Sequence, residues 1–102
     1  MIHVLATVKL KPAKREEFLK IFNALVPKVK AEAGCIEYGP TIDVYSGIPA
    51  QGKLREDLVI IIEKWQDLAA LNAHLATSHM TKYREDVKDL VQNVNLQVLT
   101  SA

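Results

Sequence analysis

The sequence has few of the residues that mark secreted, membrane-spanning or phosphate-binding proteins. Its single cysteine, Cys35, cannot form a disulfide within the chain, so nothing indicates an oxidising compartment. The longest apolar run, from Leu58 to Ile62, is far shorter than the about 20 residues of a membrane span. The N-terminus does not match a signal peptide, and the four dispersed glycines form no phosphate-binding loop. We therefore expect a cytoplasmic protein that does not enter a membrane.

An excess of charge of one sign is also missing. The chain has 13 Lys and Arg against 12 Asp and Glu, interleaved along its length. Because nucleic-acid-binding domains usually carry a basic stripe or patch, this balance argues against a nucleic-acid partner. The length of 102 residues predicts one domain, residues 1–102. A domain of this size buries roughly 60–68% of its unfolded surface, which leaves little room for a large enclosed cavity.

Apolar residues are present in two kinds of spacing. Alternation predicts strands over 2–11 and 94–100. Residues suited to a sheet predict a strand over 35–45, and a continuous apolar run predicts a strand over 57–65 that is buried on both faces. Spacing of three or four residues predicts a helix over 13–33, a second helix capped by Asp67 and a third capped by Ser78. The expected stripe of the second helix is Leu68, Leu71 and Leu75, and that of the third is Met80, Tyr83, Val87, Leu90, Val91 and Val94. Residues 46–56 are predicted to form a long loop, whose role the sequence does not reveal.

Pro27 falls inside the first predicted helix. An interior proline costs about 3 kcal/mol, so we expect a kink or two abutting helices there. The resulting order, β-α-β-β-α-β with an extra helix, is the α+β ferredoxin-like plan, whose helices cover one face of the sheet. The other face carries Leu5 and the isoleucines of the third strand. Because this face is too apolar for water, we expect a homodimer whose sheets pack face to face.

No metal or cofactor motif is present. There is no CxxC or HExxH pattern, and the three histidines are scattered. His74 and His79 are five positions apart, whereas ligands that share one helical face are three or four apart. The sequence therefore predicts no metal site.

Polar and aromatic side chains that could support chemistry are concentrated between residues 63 and 84. They are Glu63, Trp65, Asn72, His74, His79, Tyr83 and Arg84. Taken singly, a tryptophan or a histidine beside an apolar stripe is most often part of the core. Glu63 is harder to explain in that way, because a carboxylate on an apolar strand needs a partner. Glu63 and Trp65 are predicted to share one face of the strand.

Several segments resemble the antibiotic-biosynthesis monooxygenase family. The resemblance rests on the element order, on Trp65 at a strand end, and on the segments VLATVKLKPAKREEFLKIF, EAGCIEY and AHLATSHMTKY. The pattern IIEKWQDLAALNAHLATSHM is similar to the quinol monooxygenases of that family. The resemblance extends over essentially the whole chain.

The resemblance implies a dimeric α+β barrel with a cavity in each subunit between sheet and helices. It implies an oxidoreductase that oxidises a quinol or related polyphenol with molecular oxygen, without flavin, haem or metal. A small aromatic substrate and oxygen would then be its partners. His74 is the expected base, because histidine transfers protons near neutral pH, with His79 as the alternative or a hydrogen-bond partner. Trp65 and Tyr83 would contact the substrate ring, and Glu63 or Arg84 would orient a histidine or stabilise an oxyanion.

Two other functions stay open from the sequence. Haem degradation is disfavoured, because the chain has Ala6, His74 and Arg84 at the places where haem-degrading relatives have other residues. A cofactor-free isomerase of a small polar metabolite would also fit the two histidines, with Lys82 and Arg84 as the nearby basic groups. In a non-catalytic stress-response dimer, the whole cluster would be core.

Overall fold

The fold is described here from a computed structural model of residues 1–102. Seven elements follow one another along the chain. They are β1 (Ile2–Leu10), α1 (Arg15–Lys30), β2 (Cys35–Thr41), β3 (Leu58–Trp65), α2 (Leu68–Leu75), α3 (Ser78–Val87) and β4 (Val91–Leu99). None of the three helices has the length and apolar character needed to cross a lipid bilayer.

The four strands form one antiparallel sheet in the order β2-β3-β1-β4. Ala6 in the central strand β1 pairs with Ile61 of β3 on one side and with Leu96 of β4 on the other. Because the first and third strands lie together in the middle, the predicted ferredoxin-like α+β plan with an extra helix is confirmed.

Helix α1 covers the sheet with a stripe that has the predicted spacing. Phe18, Phe22, Leu25 and Val29 are all buried. Pro27 lies inside α1, which nevertheless runs without a break from Arg15 to Lys30. The prediction of two abutting helices is therefore wrong. Pro27 lies close to the C-terminal end, where it removes one hydrogen bond, and the burial of its neighbours in the core keeps the last turn helical.

The second strand is shorter than predicted and the loop after it is longer. β2 ends at Thr41, and residues 42–57 contain no helix or strand. Side chains within this loop hold its shape. Arg55 binds both carboxylate oxygens of Asp43 at 2.8 and 2.9 Å, which lowers the pKa of Asp43 to about 2. Gln51 donates to the carbonyl of Val44 at 2.8 Å. These local bonds replace the ladder that the apolar pattern predicted to continue to residue 45.

The caps of the two short helices decide where each begins. Asp67 caps α2 as predicted, accepting the N–H of Ala70 at 2.8 Å. Thr77, not Ser78, caps α3, because its hydroxyl accepts the N–H of Met80 at 3.4 Å.

Several positions of the predicted helical stripes differ from the structure. In α2, Leu71 is buried but Leu68 and Leu75 are exposed, because the helix contacts the sheet through only one narrow face. α3 ends at Val87, so Val91 and Val94 belong to β4 rather than to a helix. Helical and strand spacing are indistinguishable over such a short apolar run, which explains the misassignment.

The two faces of the sheet differ in what covers them. Alternate residues of β1 and β3 are buried against the helices, among them Val4, Val8 and Ile61. The opposite face, which we call the outer face, places Leu5 beside Ile62 and carries Ile60 in the same strand. Leu5 is exposed, and the two isoleucines are partly exposed. A second apolar surface lies on β4, where Val94, Leu96 and Val98 are all exposed.

Candidate active site

Three polar side chains from three separate elements meet at one end of the helical layer. Glu32 lies in the turn after α1, His74 in the last turn of α2 and His79 in the first turn of α3. Oε2 of Glu32 is 3.0 Å from Nδ1 of His74 and 2.7 Å from Nε2 of His79. A single carboxylate oxygen therefore bridges the two histidines.

The break between α2 and α3 is what brings the histidines together. α2 ends at Leu75, and the hydroxyl and N–H of Thr77 both donate to the carbonyl of His74, at 2.9 and 3.2 Å. On one continuous helix, residues five apart would point in different directions. Because the chain turns at Ala76 and Thr77, His79 instead begins a new helix and reaches the same carboxylate.

A tight turn places Glu32 over α2. Gly34 has a φ of +82°, a backbone conformation that residues other than glycine rarely adopt. A Cβ on Gly34 would lie 2.6 Å from the Cβ of Ala70 in α2. The carbonyl of Gly34 also accepts the N–H of Gln66 at 2.8 Å. The turn can approach α2 this closely only because residue 34 has no side chain.

The hydrogen bonds define which histidine nitrogens carry protons. A carboxylate oxygen can only accept, so Nδ1 of His74 and Nε2 of His79 donate to Glu32. In the neutral rings, the lone pairs then lie on Nε2 of His74 and Nδ1 of His79. Burial lowers the pKa of His74, outweighing the attraction of Glu32. His74 is therefore neutral at pH 7.

Aromatic rings hold His74 in place. Its ring lies 4.6 Å from that of Trp65 and 5.4 Å from that of Tyr38. The indole N–H of Trp65 donates to Glu63 at 2.9 Å, so the two residues share a face as predicted and the buried carboxylate has a partner. Burial raises the pKa of Glu63 despite this bond. Trp65 therefore lies between Glu63 and His74 and contacts both.

The remaining two predicted site residues have different surroundings. Tyr83 packs edge-on against Phe22 at 5.6 Å, and burial raises the pKa of its hydroxyl. Arg84 donates to the carbonyl of Leu75 at 2.8 Å. Its positive charge therefore lies at the C-terminal end of α2, where it complements the helix dipole.

The two histidines differ in how deeply they are buried. The side chain of His74 is 1% exposed, whereas that of His79 is 23% exposed. His79 also lines a groove of about 110 Å³ between α1 and α3, together with Ile21, Ala24, Leu25, Lys28, Lys82, Tyr83 and Asp86. In the space between helices and sheet, where the family resemblance implies a cavity, the rings of Phe22 and Tyr38 stack at 5.4 Å.

Sequence reasoning did not single out Glu32, Tyr38 or Lys28. Glu32 is 42 positions from His74 and has no spacing relation to it, so only the fold shows that they meet. The segment EAGCIEY, residues 32–38, was noted for its resemblance and contains both Glu32 and Tyr38.

Three comparisons with known proteins agree with this fold. The family profile described as antibiotic biosynthesis monooxygenase matches residues 1–86. The chain is 37% identical over 101 residues to the probable quinol monooxygenase YgiN of Escherichia coli K12, covering 97% of this chain and 96% of that protein.

Solved structures give the same result. The crystal structure of PA3566 from Pseudomonas aeruginosa matches with a TM-score of 0.81 and 30% identity, over 99% of this chain and 93% of that one. A structure described as antibiotic biosynthesis monooxygenase matches with a TM-score of 0.80 and 26% identity, over 100% of this chain and 99% of that one.

Proposed function

The chain belongs to the antibiotic biosynthesis monooxygenase family, and we propose that it oxidises a quinol or related polyphenol with molecular oxygen. The observation that carries this proposal is the Glu32 carboxylate, which bridges two histidines at 2.7 and 3.0 Å beside an open groove. A relative covering nearly the same length is named a probable quinol monooxygenase, which supports this substrate class.

In this proposal His79 is the base that the substrate meets. Its side chain lines the groove, whereas the ring of His74 is almost completely buried. Glu32 accepts the Nε2 proton of His79, so Nδ1 is free to take a proton from a phenolic hydroxyl. The imidazolium that forms stays 2.7 Å from the carboxylate, which stabilises its charge. His74 positions Glu32 through the second hydrogen bond.

Removing the phenolic proton is the step that makes the substrate reactive, because a quinolate gives electrons to oxygen more readily than a quinol does. Lys28 and Lys82 both line the groove. Lys82 pairs with Asp86 at 2.6 Å, whereas no ion pair holds Lys28. We assign Lys28 the role of stabilising the phenolate, and Tyr83 that of contacting the ring.

The reaction balances without a further reductant. In monooxygenation of a quinol, one oxygen atom replaces a ring hydrogen as a hydroxyl group and the other leaves as water. The quinol supplies the electrons and becomes a hydroxyquinone, so that quinol and oxygen give hydroxyquinone and water. The proton taken by His79 returns to the reduced oxygen.

The size of the groove limits how the substrate binds. About 110 Å³ is well below the roughly 300–1,000 Å³ of ordinary ligand pockets. A single phenolic ring fits this space, and a fused second ring would extend toward solvent. We therefore expect one-ring quinols to be accepted at least as well as naphthoquinols.

A phosphorylated substrate, which the isomerase alternative would use, has less support. Lys82 is paired with Asp86, and Arg84 is bonded to the carbonyl of Leu75. The acidic side chain of Asp86 also lines the groove. Neither cation named from the sequence is free to bind phosphate.

Oxygen uptake with a panel of reduced benzoquinones and naphthoquinones tests the proposal. We expect uptake well above the autoxidation rate, and one labelled atom in the hydroxyquinone when the gas is ¹⁸O₂. His79→Asn should lower kcat/KM by about 10²–10⁴-fold, the usual contribution of a general base.

His3→Asn is the matched control, because His3 lies on β1 opposite Lys64 and does not line the groove. It should keep the wild-type rate. Uptake no faster than buffer for every quinol, or a folded His79→Asn variant at the wild-type rate, would refute the proposal.

A further inference from the structure

The three side chains that meet beside the groove also have the composition of a metal site. They provide one carboxylate oxygen and two imidazole nitrogens, and these three atoms lie within 4.8 Å of one another. Without an ion, both nitrogens donate to Glu32, so each ring must move its proton to its other nitrogen to present a lone pair to a metal. We propose that Glu32, His74 and His79 form a three-ligand binding site for a transition-metal dication of the zinc type. The proposed quinol reaction needs no metal but uses these same residues, so a bound ion and the base function of His79 exclude one another.

The separations of the three ligand atoms are close to those that such an ion requires, although shorter. A tetrahedral ion with bonds of about 2.0–2.2 Å holds its ligand atoms about 3.3–3.6 Å apart. The two oxygen–nitrogen separations of 2.7 and 3.0 Å are about 0.3–0.9 Å shorter than this. Binding of an ion therefore requires the Glu32 carboxylate to rotate away from the two rings.

The ligand types select the class of metal. Two imidazoles favour zinc and its neighbours in the first transition row, whereas calcium and magnesium prefer sites made only of oxygen. Three protein ligands leave a fourth position for water or another small ligand, which is the open arrangement of reactive zinc sites.

Of the three proposed ligands, His74 is fixed by the rings around it, whereas Glu32 and His79 are accessible to solvent. The rings of Trp65 and Tyr38 fix the orientation of His74, so little side-chain freedom is lost on binding. Glu32 and His79 are partly exposed, which gives an ion a route to the site. The positive charge of Arg84 lies near His74 and weakens the site without blocking it.

Cys35 is the one thiol that could compete as a ligand. Its N–H donates to the carbonyl of Glu32 at 3.2 Å. Its sulfur is not among the donor atoms of this cluster that lie within 4.8 Å of one another. The proposed ligand set therefore does not include Cys35.

Calorimetric titration of the tag-free, chelator-treated chain with zinc chloride tests the proposal. We expect saturation at one zinc ion per chain. Glu32→Gln and His79→Asn should each weaken binding by at least about 10-fold, the smallest loss usual around a metal site. With cobalt(II), the visible spectrum should show the bands of a nitrogen and oxygen site, without thiolate charge transfer.

Three control variants replace residues with metal-ligating side chains that lie outside the proposed ligand set. Glu37→Gln, His3→Asn and Cys35→Ser should all keep wild-type affinity. Circular dichroism checks that each variant is folded. If Glu32→Gln does not fold, the His79→Asn variant decides the result, because His79 is partly exposed. Absence of saturable binding, equal affinity in His79→Asn, or loss of binding in Cys35→Ser would overturn the proposal.

Discussion

His74 and His79 share one carboxylate but differ in their contact with water. The buried ring of His74 cannot gain a proton without losing the stabilisation that water gives an imidazolium. The side chain of His79 is partly exposed and reaches solvent. One histidine is therefore suited to holding Glu32 and the other to exchanging protons with a ligand.

The lowered pKa of His74 predicts a loss of stability in acid. In the unfolded chain the histidine binds a proton near its ordinary pKa of about 6.5, whereas in the folded chain it does so only at lower pH. Below about pH 6.5 the unfolded state therefore binds more protons, and the free energy of unfolding falls as the pH falls. Urea unfolding from pH 8 to pH 5, in the presence of a chelator, measures this change.

His74→Asn isolates the contribution of this one group. The difference in unfolding free energy between wild type and variant should shrink as the pH falls through 6.5, and His3→Asn should show no such trend. A difference that is constant from pH 8 to pH 5 would contradict the assignment.

Glu63 predicts the opposite dependence on pH. Its raised pKa means that the folded state binds the proton more tightly, so its contribution to stability is present below about pH 4.5 and is lost as the pH rises. Glu63→Gln keeps an acceptor for the indole of Trp65 and removes the buried charge. We expect this variant to be at least as stable as wild type at pH 8.

Glu63→Ala should instead be less stable by about 1–3 kcal/mol, because it leaves the buried N–H of Trp65 without an acceptor. Urea unfolding of both variants at pH 8 makes the comparison. Glu37→Gln serves as the control for removing an exposed carboxylate, which here pairs with Lys64 at 2.9 Å. Equal losses in the two Glu63 variants would show that the hydrogen bond does not matter.

Contacts between residues were predictable from the sequence only where the two residues are close together along the chain. The pairing of Glu63 with Trp65 follows from strand alternation over two positions, and the structure confirms it. The contact between Glu32 and His74 depends on how α1, α2 and the turn between α1 and β2 pack, which no local pattern encodes. The five-residue separation of His74 and His79 argued against a shared site only on the assumption that both lie on one continuous helix.

At the scale of elements, the turn before β2 decides how closely Glu32 approaches α2. Gly34→Ala should destabilise the fold in two ways. The positive φ of Gly34 costs about 1–2 kcal/mol for a residue with a Cβ, and the contact with Ala70 at 2.6 Å adds about 1–3 kcal/mol. Urea unfolding at neutral pH measures the sum.

Gly47→Ala separates the two effects. Gly47 has a similar φ of +73°, but a Cβ there would meet only the Tyr45 hydroxyl at 3.9 Å. This variant should lose only the backbone part. Equal losses for the two alanine variants would mean that α2 moves aside freely and that the turn does not fix Glu32.

Helix and strand identity were predictable where the apolar pattern was long. The stripe of α1 and the alternation of β1 give correct elements. Of the two outcomes predicted at Pro27, a kink or two abutting helices, the second is wrong because tertiary packing outweighs the local cost of a proline. β2 was predicted too long because the side-chain bonds of Asp43 and Gln51, rather than strand propensity, decide the path after Thr41.

At the scale of the whole molecule, the apolar outer face of the sheet needs a cover. We propose that a second copy of the chain packs against it, which the sequence also predicts. Leu5 lies at the centre of this face, between Ile62 and Gln97. Leu5→Asp would bury an unpaired charge in such an interface but place it in water in a single chain.

Sedimentation at micromolar concentration should therefore show a dimer for the wild type and a monomer for Leu5→Asp, with unchanged circular dichroism. Leu68→Asp is the matched control, since Leu68 is exposed on α2 rather than on the sheet. A monomeric wild type, or a dimeric Leu5→Asp variant, would rule out this interface.

The position of β1 between β3 and β4 has a consequence for the order in which the protein folds. β1 and β4 come from opposite ends of the described chain, so their pairing closes a loop that contains every other element. Closing such a loop is slow because the entropy cost precedes the gain from contacts. We expect β4 to dock last, and until then one edge of β1 remains open to strands of other chains. Yield on refolding should therefore depend on protein concentration, since aggregation competes with this closing step.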